Sequence, residues 1–137
     1  MTSEFSVAVH ALVFLNHKGN VYSSEGLAEN ICTNAARIRK VMAKLKKAGL
    51  VETKEGIDGG YQFIKKSEET DLYTIARALD FTFVSSGWKS GNPDMECLIA
   101  SGMAGVLEEV YVDLNQCCLD RLKQITIADL DGKIFKF

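Results

Sequence analysis

The chain has 137 residues, 47% of them apolar and 25% charged, with one proline and a formal net charge of −2. This is an ordinary globular mix, and it excludes an intrinsically disordered, collagen-like or linker-rich chain. No apolar run approaches the roughly 18 residues of a membrane span. The stretch from Met1 to Leu15 lacks a basic region and a small-residue cleavage site, so a cytoplasmic location away from the membrane is expected.

In chain order, the first third predicts three helices. Phe5 to Leu15 is apolar nearly all round (Val7, Ala8, Ala11, Leu12, Phe14), as in a buried helix. Lys18-Gly19-Asn20 breaks it. Ser23 and Ser24 offer capping oxygens to a short second helix carrying Leu27 and Ala28. Thr33 or Asn34 can cap a third, in which Ile38, Val41, Met42, Leu45 and Ala48 recur at three- and four-residue steps before Gly49. Its other face carries Arg37, Lys40, Lys44 and Lys47. A short helix, a tight break and a helix with a polar entry is the helix-turn-helix plan.

Two strand-like runs follow, Leu50 to Lys54 and Tyr61 to Lys65. The three glycines between them favour a hairpin, which after a helix-turn-helix is a wing. Leu72, Ile75, Ala76 and Leu79 mark a further short helix, and Phe81 to Val84 reads as extended. Ser85 to Pro93, with Trp88, reads as a loop and a domain boundary. This divides the chain into a DNA-binding domain at 1–84 and a dimerisation region at 85–137. From about Met95 to Lys123 the pattern is helical. Ile99, Met103, Val106, Val110 and Leu114 form one apolar stripe, continued by Cys117 or Cys118, that needs a second surface. A dimerisation helix is the expectation, against the alternative of a helix folded back on its own domain. Thr126 and Asp129 then begin a short C-terminal helix. The fold class is thus mainly α with a small β-hairpin wing: a winged helix-turn-helix domain plus a long dimerisation helix.

Charge is unevenly spread. Residues 31–66 hold nine basic residues and three acidic ones, so this stretch carries +6 and the remainder −8. That is the footprint of an anion-binding face or of a solvated basic helix.

The run Lys44-Leu45-Lys46-Lys47-Ala48-Gly49-Leu50-Val51, then Gly56 and Gly59-Gly60-Tyr61, resembles the Rrf2 family of bacterial winged helix-turn-helix transcription regulators. Cys32-Thr33-Asn34 before Arg37-Ile38-Arg39-Lys40 resembles the branch without an iron–sulfur cluster. Asn92-Pro93 before Cys97 and the terminal Ile125-Thr126-Ile127-Ala128-Asp129-Leu130 match further family landmarks. The resemblance implies a homodimer, with double-stranded DNA as partner, acting as a repressor on a palindromic operator. Recognition helices would enter the major groove and wings the flanking minor groove.

By role, Ser23 and Ser24 would meet phosphate at a helix start. Thr33 lies at the recognition-helix entry, where Asn34 either caps the helix or reaches a base edge. Arg37 and Lys40 are the leading candidates for base or phosphate contacts. Lys44 would reach phosphate or solvent. In the wing, Gly59 and Gly60 would permit close backbone approach, and Tyr61 reads as core. Glu55 stands where relatives often carry Arg, and Asp58 where glycine is common. This weakens the wing and leaves Lys54 as its nearby cation.

No cofactor or metal is expected. Cys97 alone precedes the long helix, and one thiolate cannot hold a cluster. Thiol sensing is an alternative. Cys32 lies beside a cationic helix in an environment that favours a thiolate, although a buried cysteine packed between the second and third helices is the blander reading. Cys97 could pair with a partner's cysteine. An effector pocket near Trp88 and Phe83 is a further option, with the effector unknown. His10 and His17 belong to no catalytic motif, so no enzyme is expected. The rival reading is a winged helix used only for protein contacts, in which case binding would not weaken with salt.

Overall fold

The computed structural model describes residues 3–136, which form two compact units. The first comprises residues 3–81 and 122–136 and the second residues 82–121.

In the first unit α1 (Glu4–Lys18) is the central helix, with Ala8, Ala11 and Leu12 fully buried. Gly19 ends it in a left-handed conformation, its N–H donated to the Leu15 carbonyl. The second helix, α2 (Ser24–Ile31), is capped by Ser23, whose Oγ accepts the Gly26 N–H at 3.0 Å. The third, α3 (Ala35–Lys47), is capped by Asn34, whose Oδ1 accepts the Arg37 N–H at 2.8 Å. Each cap satisfies a backbone donor that the first helical turn leaves unpaired. Apolar Ile38, Val41, Met42 and Leu45 of α3 are fully buried against α1 and α2, and Gly49 follows with positive φ.

Strands β1 (Val51–Lys54) and β2 (Gly60–Phe63) pair antiparallel, Val51 opposite Phe63 and Lys54 opposite Gly60. The hairpin is anchored to the segment before α2: Tyr22 and Tyr61 exchange backbone hydrogen bonds at 3.1 and 2.8 Å. After a single 3₁₀ turn (Ser67–Glu69), α4 (Leu72–Leu79) is capped by Asp71 and buries Leu72, Ile75 and Leu79.

The C-terminal helix α6 (Ile127–Ile134) belongs to this first unit. The expected division grouped residues 85–137. The structure instead returns residues 122–136 to the winged-helix body. Asp71 and Thr126 form an antiparallel bridge, flanked by Leu72 N–H to Ile125 O at 2.8 Å and Ile127 N–H to Thr70 O at 2.9 Å. Ile127 is fully buried, a contribution of about 1.5–3 kcal/mol. The expected capping box is present: Thr126 Oγ1 accepts the Asp129 N–H, and the Asp129 carboxylate accepts the Thr126 N–H.

The segment expected to be extended, Phe81 to Val84, begins at the last residue before the second unit and forms no strand among the described residues. The N–H groups of Phe83 and Val84 are both accepted by Asn115 Oδ1, at 2.8 and 3.1 Å. An irregular loop leads to α5 (Leu98–Leu122), whose 25 residues span about 38 Å. None of its residues is buried.

Candidate nucleic-acid interface

The caps and buried stripe of α3 fix which of its side chains face outward. Ala36, Arg39, Lys40, Ala43, Lys46 and Lys47 are exposed, so two alanines alternate with pairs of cations along one ridge. Small residues there let a backbone approach closely while the cations flank it. Lys40 is 70% exposed at its side chain. Arg37 is half-buried. Arg39 was missed by the sequence reading. Its guanidinium lies 3.3 Å from Ser24 Oγ and 3.7 Å from Glu25 Oε1, linking the recognition ridge to the start of α2. Arg39 lies three residues after Ala36 and four before Ala43, so helical spacing places it on their exposed face.

Lys44 departs from expectation. It donates to Glu4 Oε2 at 2.9 Å, and Lys40 lies 3.5 Å from the other oxygen of the same carboxylate. The Lys44 hydrogen bond, then the charges of both lysines, hold the Glu4 carboxyl below its ordinary range against an opposing effect of burial. A lysine tied down in this way is a poorer phosphate ligand than an unpaired one. At the far end of α3, Lys46 donates to Thr53 Oγ1 of β1 at 2.9 Å and so ties the wing to the helix.

Ser23 and Ser24 are half-buried at the start of α2, with Ser24 held between Glu25 and Arg39. Thr33 is half-buried and Asn34 is exposed at the entry of α3. The cap of Asn34 uses its oxygen, and the other end of this exposed side chain is an amide N–H₂ donor.

The wing glycines have a different role from the expected one. A Cβ on Gly59 would lie 2.2 Å from the Lys54 carbonyl, and one on Gly60 2.2 Å from the Tyr22 carbonyl. The close approach they permit is therefore within the protein, of the hairpin to itself and to Tyr22. At the wing, Lys54 is exposed, as are Glu52, Glu55 and Asp58. Ile57 projects fully into solvent at the tip, a second residue the sequence reading missed because an isolated isoleucine in a loop has no periodicity.

The cysteine expected to be buried between α2 and α3 is exposed: Cys32 ends α2 in a left-handed conformation with φ 64°. Its thiol instead turns back along α2 and donates to the Glu29 carbonyl at 3.8 Å. Cys97 and Cys117 are exposed and Cys118 is half-buried. Backbone N–H groups of Ala100 and Ile99 at the start of α5 lower the Cys97 thiol pKa. The expected effector pocket near Trp88 and Phe83 is a cleft of about 90 Å³ between the loop and α5, lined by Trp88, Leu107 and Tyr111 but not Phe83. An organic effector site is typically some 300–1,000 Å³.

With this geometry in view, a model of the Rrf2 family, described as iron-dependent transcriptional regulators, matches residues 1–132. The chain belongs to the Rrf2 family. It is 28% identical over 138 residues to a Haemophilus influenzae protein and 22% identical over 135 residues to YwnA of Bacillus subtilis, both named provisionally as HTH-type transcriptional regulators. These matches cover 97% and 98% of this chain and 87% and 99% of the relatives. Its fold matches the crystal structure of a protein from Lactobacillus plantarum, provisionally a transcriptional regulator, with a TM-score of 0.83 and 24% identity over 99% of this chain and 92% of that one. This Rrf2 protein is therefore a DNA-binding transcription regulator with a winged helix-turn-helix.

The iron of the family description finds no fitting donor set among the described residues of one chain. Among the described residues no three His, Cys, Asp or Glu side chains come together as a metal site. Cys97 has no second cysteine nearby in sequence, and Cys117 and Cys118 lie two decades further on along α5. No helix of the described residues is long and apolar enough to cross a membrane.

Proposed function

We propose that this Rrf2 protein is a homodimeric repressor that binds a palindromic operator, two copies pairing through α5. The observation that carries this reading is the apolar stripe of α5: Ile99 is 70% exposed, Val106 58%, and Met103, Val110 and Leu114 are exposed as well. A contiguous exposed apolar stripe of this kind marks an interaction surface. Ser101, Gly102, Ala104 and Gly105 beside it allow a second helix close approach. A symmetric pair presents α3 twice, as two half-sites about one helical turn apart require.

In this reading residues 1–84 read DNA and the α5 region of 85–137 dimerises. Arg37, Arg39 and Lys40 contact bases or phosphates, with Ser23, Ser24, Thr33 and Asn34 at the helix starts. Lys54 serves the wing, with Gly59 and Gly60 shaping it, and Lys44 contributes only when Glu4 releases it. Repression follows as the sign of regulation that needs operator occupancy alone. Cys32 and Cys97, both exposed, are the candidate thiols for a redox response.

Sedimentation and operator binding test the proposal together. Val106→Glu with Val110→Glu gives a monomer whose operator affinity falls by at least tenfold. A dimer that survives this change overturns the assigned interface. Protein-contact function without DNA binding predicts no salt dependence, whereas neutralised phosphates predict a steep loss of affinity with salt.

A further inference from the structure

We propose that a groove on the winged-helix body, lined by no residue of α3, binds a small organic anion with a flat apolar body and couples it to the α2–α3 turn. The groove has a volume of about 730 Å³, within the range of small-molecule sites. Its floor is α1, where Phe5, Val9, Val13 and His17 succeed one another at four-residue steps, a run of about 18 Å along the helix. One wall is Asn30, at the end of α2. The other is α6, through Leu130, Ile134 and Phe135.

Polar groups sit at defined places on this apolar surface. Midway, His10 Nε2 and Asn30 Oδ1 lie 2.7 Å apart. At the α6 end, His17 lies 3.1 Å from the Asp131 carboxylate and stacks flat on Phe135, ring centroids 3.7 Å apart. That stack presents a flat aromatic surface at this end of the groove, the kind of surface on which a planar ring packs. Lys18 and Lys133 border the same end, both exposed. Among the described residues neither ammonium has a carboxylate partner within ion-pair distance. Asp131 hydrogen-bonds His17 and does not line the groove, whereas Lys18 and Lys133 do, so the permanent charge on the lining is cationic. An aromatic carboxylate fits: its ring along α1, its charge toward Lys18 and Lys133. Both histidines of the chain, unused by the DNA face, are accounted for by this site.

The coupling rests on the DNA-binding reading above. Asn30 precedes by two residues the left-handed Cys32 that turns the chain into α3. A ligand that displaces or tightens the His10–Asn30 contact acts on the turn that sets the angle of the recognition helix.

Calorimetric titration of the full chain with naphthalene-2-acetate and with its neutral amide tests the site. The expected result is one carboxylate per chain, at least tenfold tighter than the amide. Lys18→Glu with Lys133→Glu erases that preference and leaves amide binding unchanged, and Val9→Trp abolishes both by filling the floor. Equal affinity for the two probes overturns the proposal. So does indifference to Val9→Trp in a folded protein, or binding only as the dimer dissociates, which would make the groove a contact between copies. Should Val9→Trp fail to fold, the exposed lysine pair still decides. Saturating probe shifts operator affinity by about fivefold or more if the sites are coupled, and binding without a shift overturns the coupling. Loss of DNA binding by the probe-free protein would instead sink the regulator reading and leave the groove to be judged on the titrations.

Discussion

At Glu4 a single carboxylate draws two lysines of α3 toward α1. Because Lys44 and Lys40 lower its pKa in the folded chain, its stabilisation is complete above the ordinary carboxylate value of 4.5 and is lost as pH falls through the lower folded value. Glu4→Gln is expected to cost about 1 kcal/mol at neutral pH, a difference that urea unfolding should show closing in acid. The same variant releases both lysines, so non-specific DNA binding at low salt should tighten. Lys40→Ala and Arg39→Ala should weaken operator binding with dimerisation intact, and Lys40→Ala should lower the salt slope by about one. Unchanged affinity in both would place the contact face elsewhere. At this scale the sequence was partly legible. The caps Ser23, Asn34 and Thr126 were readable because a cap is a local bond over three residues. The Lys44–Glu4 pair was not, since it joins residues forty apart in sequence.

Among the elements, the wing is the one whose construction differs most from expectation. Gly59 lets the hairpin close on its own Lys54 carbonyl, and Gly60 lets it approach Tyr22. Gly60→Ala combines a φ of 149° with a Cβ directed into the Tyr22 carbonyl. It should therefore cost about 1–3 kcal/mol, read as a lowered thermal midpoint, and should weaken operator binding through a displaced wing. Helix α6 offers the matching test at a cap: Thr126→Ala should cost about 0.5–2 kcal/mol, as loss of protection in hydrogen exchange concentrated at residues 127–134. Helices α1 to α4 were legible from apolar spacing, because each buries one face in a common core. The long α5 was legible for the opposite reason, a stripe with no burial of its own.

For the molecule as a whole, the opposed charges of the 31–66 stretch and the remainder make orientation toward a polyanion intrinsic to the chain. Affinity should fall linearly with salt on logarithmic axes, while the pairing we propose through the apolar stripe of α5 should not weaken. The sequence by itself determined the order of helices and wing, their caps, the cationic helix and the family, since these rest on periodicity, local hydrogen bonds and short motifs. Only the tertiary structure decided that α6 returns to the winged-helix body, that Glu4 engages Lys44, that Cys32 is exposed and that a groove opens beside α1. Those features depend on residues far apart in the chain meeting in space, and a linear pattern carries no record of which distant faces will find each other.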